Sequence, residues 1–224
     1  MKHCRGVVFD LNGTLIWDTG LHNQAWDIFL SRHDIFLTGK QKNELIHGKN
    51  NSTILCTLFN RQLPEKELNQ YILEKEILYQ KLCLQNGIDY APGATGFIEF
   101  LKQQHIPYAI ATASIKENID FYFENLGLGL LIDRQHVIYN NNRIRSKPDP
   151  EIFEIAIRVL GLKCEDVVIF EDSVAGITAA ERAKPARVII VNSTGNDYSN
   201  FGFEVITDFT QVDRDIFTIN AALC

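Results

Sequence analysis

The sequence lacks the marks of several large classes of protein. No apolar stretch approaches the roughly 18 residues needed to span a membrane, and no signal peptide is visible. The 5 cysteines form no CxxC pair and no metal-ligand spacing, which is typical of buried thiols in a reducing cytosol. A net charge of −6 disfavours nucleic acid and anionic membranes as partners. These absences predict a cytoplasmic protein with no membrane or nucleic-acid partner, and they do not distinguish a monomer from a weak dimer.

Strands and helices alternate along most of the chain. The apolar run of residues 7–9 ends abruptly at Asp10, which is typical of a buried parallel strand. Residues 17–91 show only helical spacing, and afterwards strand and helix patterns alternate. Repeated βα units form a parallel sheet covered by helices on both faces. The sequence therefore predicts an α/β protein with a doubly wound, Rossmann-like core of residues 1–16 and 92–224 and an all-helical cap domain of residues 17–91.

Several polar side chains fall where predicted parallel strands end. Because parallel strands point the same way, their carboxyl ends converge on one crevice. Carboxylates, a hydroxyl and an ammonium gathered there suit a phosphate and Mg²⁺, since the cations offset the repulsion between a phosphate dianion and a carboxylate. Taken singly, each residue has a structural alternative, such as a helix cap or a solvated loop lysine. The residues are Asp10, Asn12, Thr112, Lys147, Glu171 and Asp172.

Four short motifs carry these residues in order along the chain. They read Asp10-Leu-Asn-Gly-Thr-Leu15, Thr112-Ala-Ser114, Ser146-Lys-Pro-Asp-Pro150 and Phe170-Glu-Asp-Ser-Val-Ala-Gly-Ile177. Together they resemble the motifs of the haloacid dehalogenase superfamily of phosphohydrolases, and the resemblance covers nearly the whole chain. His22-Asn-Gln-Ala-Trp26 is similar to a cap-entry motif of the β-phosphoglucomutase-like branch of that family.

The resemblance implies an aspartyl-phosphate mechanism. Asp10 would attack phosphorus and form a covalent intermediate, which water then hydrolyses. Thr112, Ala113 and neighbouring backbone N–H groups would hold the phosphoryl oxygens, and Lys147 would stabilise the transferring charge. The implied activity is that of a Mg²⁺-dependent phosphatase of small phosphorylated metabolites, such as sugar phosphates. The implied metal ligands are Asp10, Glu171, Asp172 and the backbone carbonyl of Asn12.

Asn12 departs from the family pattern. Phosphatases and mutases of the family carry Asp two residues after the nucleophile, where it protonates the leaving alcohol and later activates water. An amide does neither at neutral pH, so we expect turnover to be lower by about 10²–10⁴. His22, expected near the leaving group, is the candidate replacement, and its alternative role is that of a packing histidine. On this interpretation Asn12→Asp restores the rate.

The predicted cap departs from the pattern at further positions. The acidic residue that relatives often carry seven positions after the nucleophile is Trp17 here, and Asp18 comes one place later. Asn51 stands where mutase relatives have an Arg that grips a second phosphate, and Lys49 is only a partial substitute for a guanidinium. The predicted substrate contacts are His22, Lys49, Asn51, Ser114 and Lys116.

Three alternatives to a phosphatase remain open at this point. One is a hexose-phosphate mutase, which must bind two phosphates. Another is a P–C bond hydrolase that uses a cap lysine as a Schiff base, for which Lys40, Lys42 and Lys49 are available. The third, from a different functional class, is a binding or regulatory protein that keeps the phosphate site but has lost turnover through Asn12.

Overall fold

A single parallel sheet forms the centre of the protein. The computed structural model describes residues 3–217, and the six strands of the sheet lie in the order β3-β2-β1-β4-β5-β6. All neighbouring strands pair in parallel. The strands are β1 (Gly6–Phe9), β2 (Tyr108–Ile115), β3 (Val137–Asn140), β4 (Val167–Glu171), β5 (Arg187–Val191) and β6 (Glu204–Ile206). The predicted α/β fold class is confirmed.

Strand β1 lies between β2 and β4, where the strand order changes direction. In doubly wound sheets the functional crevice opens at the carboxyl ends of the strands at this switch point. Both faces of β1 are covered: Phe9 packs among Phe97, Phe170 and Phe209 on one side, and Val8 belongs to a second apolar cluster on the other. This burial explains the unbroken apolar run that ends at Asp10.

Eight α-helices accompany the sheet in the described residues. Four of them fall between β1 and α5, and residues 17–89, all described, contain no strand. The helices are α1 (Thr19–Ser31), α2 (Gly39–Leu45), α3 (Asn51–Leu58), α4 (Glu65–Asn86), α5 (Ala94–Gln103), α6 (Lys116–Asn125), α7 (Glu151–Val159) and α8 (Val174–Ala183). In the described part of the chain, no helix combines the length and apolar character that a membrane crossing requires.

Helices α1–α4, here called the helical insert, have an apolar cluster of their own. Trp26, Phe29, Leu55 and Ile72 are buried in it. The chain enters and leaves the insert side by side, since Ile16 pairs with Tyr90 in an isolated antiparallel bridge. The boundary of the insert as a separate domain stays a prediction, but residues of the insert and residues at the carboxyl edge of the sheet line the same cavity.

Strand β2 is longer than the sequence pattern indicated. The predicted strand ended at Ala111, whereas β2 continues to Ile115 with a register shift against β3 between Thr112 and Ile115. A bulge of this kind bends a strand and re-aims its side chains. The polar residues 112–114 therefore belong to the strand itself, and the irregularity turns them toward the crevice.

Candidate active site

Lys147 and two carboxylates form the buried centre of the crevice. The Lys147 Nζ donates hydrogen bonds to Asp10 Oδ1 at 2.5 Å and to Glu171 Oε1 at 2.7 Å. Lys147 is 2% exposed and Glu171 0%, while Asp10 keeps 6% of its surface open toward the cavity. Asp10 follows β1 and Glu171 ends β4, so the two parallel strands bring the carboxylates together. The ammonium compensates their charges where water cannot.

The turn after β4 is held by Glu171. Its Oε2 accepts hydrogen bonds from the Ser173 backbone N–H and hydroxyl, at 2.6 and 3.0 Å. Asp172 is oriented separately, by a 3.0 Å hydrogen bond from the Thr14 hydroxyl. Glu171 thus uses its oxygens to position Lys147 and the turn, whereas Asp172 points toward Asp10.

Two glycines let these segments approach. Gly13 has φ +82°, and a Cβ there would lie 2.2 Å from Asp172 Oδ2. A Cβ on Gly176 in α8 would lie 1.7 Å from Glu171 Oε1. Both glycines occur within the motifs noted in the sequence, so each motif supplies a polar group together with the space that this group occupies.

The three carboxylates fit a hard divalent cation. Ligand oxygens of Asp10, Glu171 and Asp172 lie within 4.8 Å of one another. Carboxylate oxygens are the donors that Mg²⁺ prefers, and the ion commonly uses only one or two of them together with water and phosphate oxygens. Because both Glu171 oxygens already accept hydrogen bonds, Asp10 and Asp172 are the better-placed ligands.

Burial and crowding disturb the titration of this cluster. Burial raises the pKa of Asp10 to about 7, with Glu171 adding to the increase and Lys147 opposing it. Burial also raises the pKa of Asp172 well above its usual range, again with help from Glu171 and Asp10. Burial would lower the pKa of Lys147, but Asp10 and Glu171 outweigh that effect and raise it. A cluster with excess buried negative charge favours binding of a further cation.

The bulge of β2 forms the wall of the cavity beside Asp10. Thr112, Ala113 and Ser114 line it. Within the bulge, the Ser114 backbone N–H donates to the Thr112 hydroxyl oxygen at 3.1 Å. Hydroxyl and N–H groups at this place can donate to the oxygens of a bound anion.

Asn12 lies on the same wall, and its amide is fully engaged. Its Oδ1 accepts a 2.6 Å hydrogen bond from the Ser114 hydroxyl, with Thr112 Oγ1 at 3.4 Å. Its Nδ2 donates to Asp18 Oδ2 at 2.6 Å and to the Tyr122 hydroxyl at 2.7 Å. The amide hydrogens therefore point away from the bulge, and only the carbonyl end is directed to it.

His22 lines the cavity from the insert side, with both ring nitrogens already engaged. Lys75 Nζ donates to Nδ1 at 3.2 Å, and Nε2 lies 3.5 Å from Asp18 Oδ2. The ring stacks on Tyr79 at 3.8 Å between centroids. Burial would raise the pKa of Asp18, but His22 and the hydrogen bonds from His22, Tyr79 and Asn12 outweigh it and lower that pKa. This arrangement holds the His22 ring in one orientation, against Tyr79 and between Lys75 and Asp18.

The roof of the cavity is formed by a buried charged pair. Lys75 Nζ donates to Glu76 Oε1 at 3.0 Å, and the two residues are 2% and 3% exposed. Asn51 and Asn118 each donate a further hydrogen bond to Glu76, at 2.6 and 2.8 Å. Burial alone would raise the pKa of Glu76, but Lys75, His22 and these amides lower it. The roof presents polar groups whose charges cancel.

The other predicted substrate contacts are divided between the cavity and its surroundings. Lys49 and Asn51 line the cavity, although Lys49 Nζ donates to the Glu44 carbonyl and Asn51 is engaged by Glu76. Lys116 departs from the prediction: its ammonium pairs with Asp120 at 2.5 Å, and its side chain is 61% exposed and outside the cavity lining. Strand β2 ends at Ile115, and Lys116 is the first residue of α6.

Sequence reasoning missed the roof and the partner of Asn12. Lys75 and Glu76 lie on the buried face of α4 between Ile72 and Tyr79, so charged residues within an apolar helical stripe were the available signal. The sequence drew attention to Asp18 only because it lies one position after the place where relatives often carry an acidic residue. No local pattern shows that it meets Asn12, since that contact depends on how the chain returns into α1.

A carboxylate that lines the cavity, a buried lysine and an acidic cluster that could hold a metal ion lie together at the carboxyl edge of a Rossmann-like sheet, an arrangement that suits an α/β enzyme of phosphoryl transfer. The comparisons agree with this class. A family model for haloacid dehalogenase-like hydrolases matches residues 4–184. The chain belongs to the haloacid dehalogenase-like hydrolases.

Individual relatives include phosphatases and a phosphomutase. Hexitol phosphatase A of Escherichia coli is 28% identical over 191 residues, covering 85% of this chain and 84% of that protein. The β-phosphoglucomutase of Bacillus subtilis is 26% identical over 186 residues, covering 80% of each. The crystal structure of a HAD hydrolase, family IA, variant 3, from Entamoeba histolytica superposes with a TM-score of 0.83 at 27% identity, covering 97% of both chains. These relatives support an enzyme of the phosphatase or phosphotransferase type.

Proposed function

We propose that the protein is a Mg²⁺-dependent phosphatase that hydrolyses small monophosphorylated sugars or polyols. The observation that carries the proposal is the Lys147 bridge between Asp10 and Glu171, since it holds a buried carboxylate at the cavity wall with its charge compensated. An Asp in this position can attack phosphorus, and a neighbouring lysine stabilises the charge of the transferring group.

The reaction has two displacements at phosphorus. In the first, an Asp10 carboxylate oxygen forms a bond to phosphorus as the ester oxygen leaves; in the second, water takes the phosphoryl group and regenerates Asp10. Thr112 and the backbone N–H of Ala113 hold phosphoryl oxygens from the bulge. Asp10, Asp172 and the backbone carbonyl of Asn12 would hold Mg²⁺, with Glu171 behind them; the ion, when bound, screens the charge of the phosphate.

Proton transfer is the weak step in this chain. The leaving oxygen needs a proton and the attacking water must lose one, but Asn12 presents only its carbonyl to the bulge. His22 contacts Lys75 and lies beside Asp18, which weighs against its acting as the replacement acid. Solvent water then has to carry these protons, and we expect turnover about 10²–10⁴ below that of a site with a working acid and base.

The roof favours a substrate with one phosphate and a neutral, hydroxyl-rich remainder. Lys75 is neutralised by Glu76, and burial lowers the pKa of His47 to about 4, so its ring is neutral near pH 7. Among the cavity-lining side chains described, Lys49 is the other lysine. A second phosphate would lack the guanidinium fork that suits it, and this argues against a mutase. The names of the phosphatase relatives agree with a polyol or sugar phosphate.

The same charges weigh against a Schiff-base hydrolase. Such a lysine must be unprotonated and open to the substrate. Lys42 pairs with Asp27 at 2.6 Å, Lys40 lies outside the cavity lining, and Lys49, which lines the cavity, donates a hydrogen bond to the Glu44 carbonyl. The experiment below distinguishes the phosphatase from the non-enzymatic alternative, a phosphate-binding protein without turnover.

The test is release of phosphate from hexitol, hexose and aryl monophosphates, with Mg²⁺ and with EDTA. Asp10→Asn is the matched control, because it keeps the shape and removes the nucleophile. We expect slow, Mg²⁺-dependent hydrolysis that Asp10→Asn abolishes. Release that is unchanged in Asp10→Asn contradicts the mechanism. Mg²⁺-dependent phosphate binding without release from any ester favours the binding protein, and isomerisation of a hexose 1-phosphate favours the mutase.

A further inference from the structure

The Asn12 amide belongs to a closed ring of four hydrogen bonds. Its Nδ2 donates to Asp18 Oδ2 at 2.6 Å and to the Tyr122 hydroxyl at 2.7 Å. The Tyr79 hydroxyl donates to the same Asp18 oxygen at 2.5 Å and lies 2.8 Å from the Tyr122 hydroxyl. Asp18, Tyr79 and Tyr122 are all 0% exposed, so bulk water does not compete for these groups. Polar groups buried in this way need partners of matching polarity.

The direction of each hydrogen bond in the ring is determined by Asp18. An ionised carboxylate only accepts, so Tyr79 gives its hydroxyl hydrogen to Asp18. Tyr122 must then donate to Tyr79, which leaves the Tyr122 oxygen as an acceptor. Residue 12 consequently has to supply two donors, one to Asp18 and one to Tyr122. The NH₂ group of Asn is a side-chain group of this size with two donors on one atom.

A carboxylate at position 12 would break the ring at the atom that is now Asn12 Nδ2. On the bulge side nothing would change, because a carboxylate oxygen accepts from the Ser114 hydroxyl as the Asn12 oxygen does. On the inner side, the oxygen in place of Nδ2 would lie against Asp18 Oδ2, with no hydrogen between them. Two buried carboxylates at the 2.6 Å separation now spanned by an N–H···O bond repel strongly.

We propose that Asp18 is the positioning residue that requires an amide at position 12, so that a carboxylate is accepted there only when residue 18 becomes an amide. In the exchanged pair Asn12→Asp with Asp18→Asn, the ring closes again with every hydrogen bond reversed. The new amide at 18 donates to residue 12 and to Tyr79, Tyr79 donates to Tyr122, and Tyr122 donates to residue 12. The amide oxygen at 18 still accepts from the Gly13 N–H, now 3.1 Å from Asp18 Oδ1.

The expectation that Asn12→Asp restores the rate changes accordingly. The single change Asn12→Asp adds the missing carboxylate and at the same time loses the two donors of the ring, so it does not restore a working acid. The exchanged pair both supplies the carboxylate and satisfies it with donors from residue 18 and Tyr122. The catalytic half of this inference rests on the proposed phosphatase function, whereas the pairing of residues 12 and 18 does not.

The test is a double-mutant cycle in thermal stability, measured with EDTA at pH 8 on Asn12→Asp, Asp18→Asn and the exchanged pair. We expect Asn12→Asp to lower the melting temperature by at least about 6 °C, from the typical cost of an uncompensated buried charge. The exchanged pair should melt above Asn12→Asp by at least half of that loss. Asn12→Ala is the matched control: it removes the donors without adding a charge, and should melt above Asn12→Asp.

Turnover of the aryl phosphate gives the second readout. The exchanged pair should exceed Asn12→Asp in kcat by about 10²-fold or more, with KM within a few-fold, because proton transfer changes and phosphate binding does not. An exchanged pair that melts no higher than Asn12→Asp, or that fails to fold while Asn12→Ala folds, overturns the proposal. Rescue of stability without turnover in any variant keeps the pairing and counts against the phosphatase function.

Discussion

Replacing Lys147 with Met tests how the cluster of acidic groups is held together. Lys147 is 2% exposed and bridges Asp10 and Glu171, with Asp172 close by. Met has a similar length and volume, so the change removes the charge and leaves little empty space. The side chain also lies over the Phe153 ring at 4.7 Å, a contact that a thioether retains in part.

The expected loss follows from the charges left behind. Removing one partner of a buried ion pair costs about 3–5 kcal/mol, because the other charge stays buried without compensation. Lys147 serves two carboxylates, which places its removal at the upper end of that range. Asp10 offsets part of the loss by taking up a proton, since its pKa is already raised to about 7 by burial. We expect the free energy of unfolding to fall by about 4 kcal/mol at pH 8.

The assay is urea unfolding of the protein and of Lys147→Met in EDTA. Lys42→Met is the control: Lys42 also makes a 2.6 Å ion pair, but its partner Asp27 has a 55% exposed side chain, so the loss should stay below about 1 kcal/mol. Mg²⁺ should then recover more stability in Lys147→Met than in the parent, because the carboxylates lack another cation. A loss below about 1 kcal/mol for Lys147→Met, or no recovery with Mg²⁺, would refute this account of the cluster.

Two further changes test other parts of the site. Gly176→Ala places a Cβ 1.7 Å from Glu171 Oε1, so urea unfolding should show a loss of about 2 kcal/mol or more, whereas Gly96→Ala, in a helix with open space around it, should be neutral or slightly stabilising. The ring of His47 has its pKa lowered to about 4 by burial, with His22 and Lys42 adding to the effect. The unfolded chain therefore binds this proton first, and stability should fall by up to about 2 kcal/mol as the pH drops from about 6.5 toward 4. His47→Gln should flatten that part of the pH profile of stability, and an unchanged profile would contradict the assignment.

The sheet and its polar edge could be predicted because their signals are local. Strand β1 is buried on both faces and shows it as an unbroken apolar run before Asp10. Once the strands are known to be parallel, the convergence of Asp10, Thr112 and Glu171 follows from topology alone. The individual roles of these residues stay predictions, but their meeting at one edge was already implied by the order of strands and helices.

The contacts around Asn12 could not be predicted in the same way. Asp18, Tyr79 and Tyr122 come from three separate segments, and only the packing of α4 against α6 brings them to one point. The end of β2 was misplaced for a related reason, because a bulge is set by tertiary pairing and not by propensity. Lys75 was overlooked because it lies within a helical stripe of α4 whose other members are mostly apolar.

The site consists of two parts with different origins. Asp10, Lys147 and Glu171 stand on strand ends and on a loop of the core, so the part that would bind phosphate is built from core residues. The part that would transfer protons is built where the helical insert meets the core, from Asn12, its ring of partners and His22. A change in this second part can therefore alter the rate and the choice of leaving group without disturbing the first.

Position 12 illustrates this separation. Its backbone follows β1 and belongs to the phosphate-binding part, whereas its side chain is matched to Asp18 at the entrance to the insert. The side chain that fits at position 12 is thus set in part by a residue outside the motif that contains it. The effect of a change at residue 12 therefore has to be measured together with a change at its partner, Asp18.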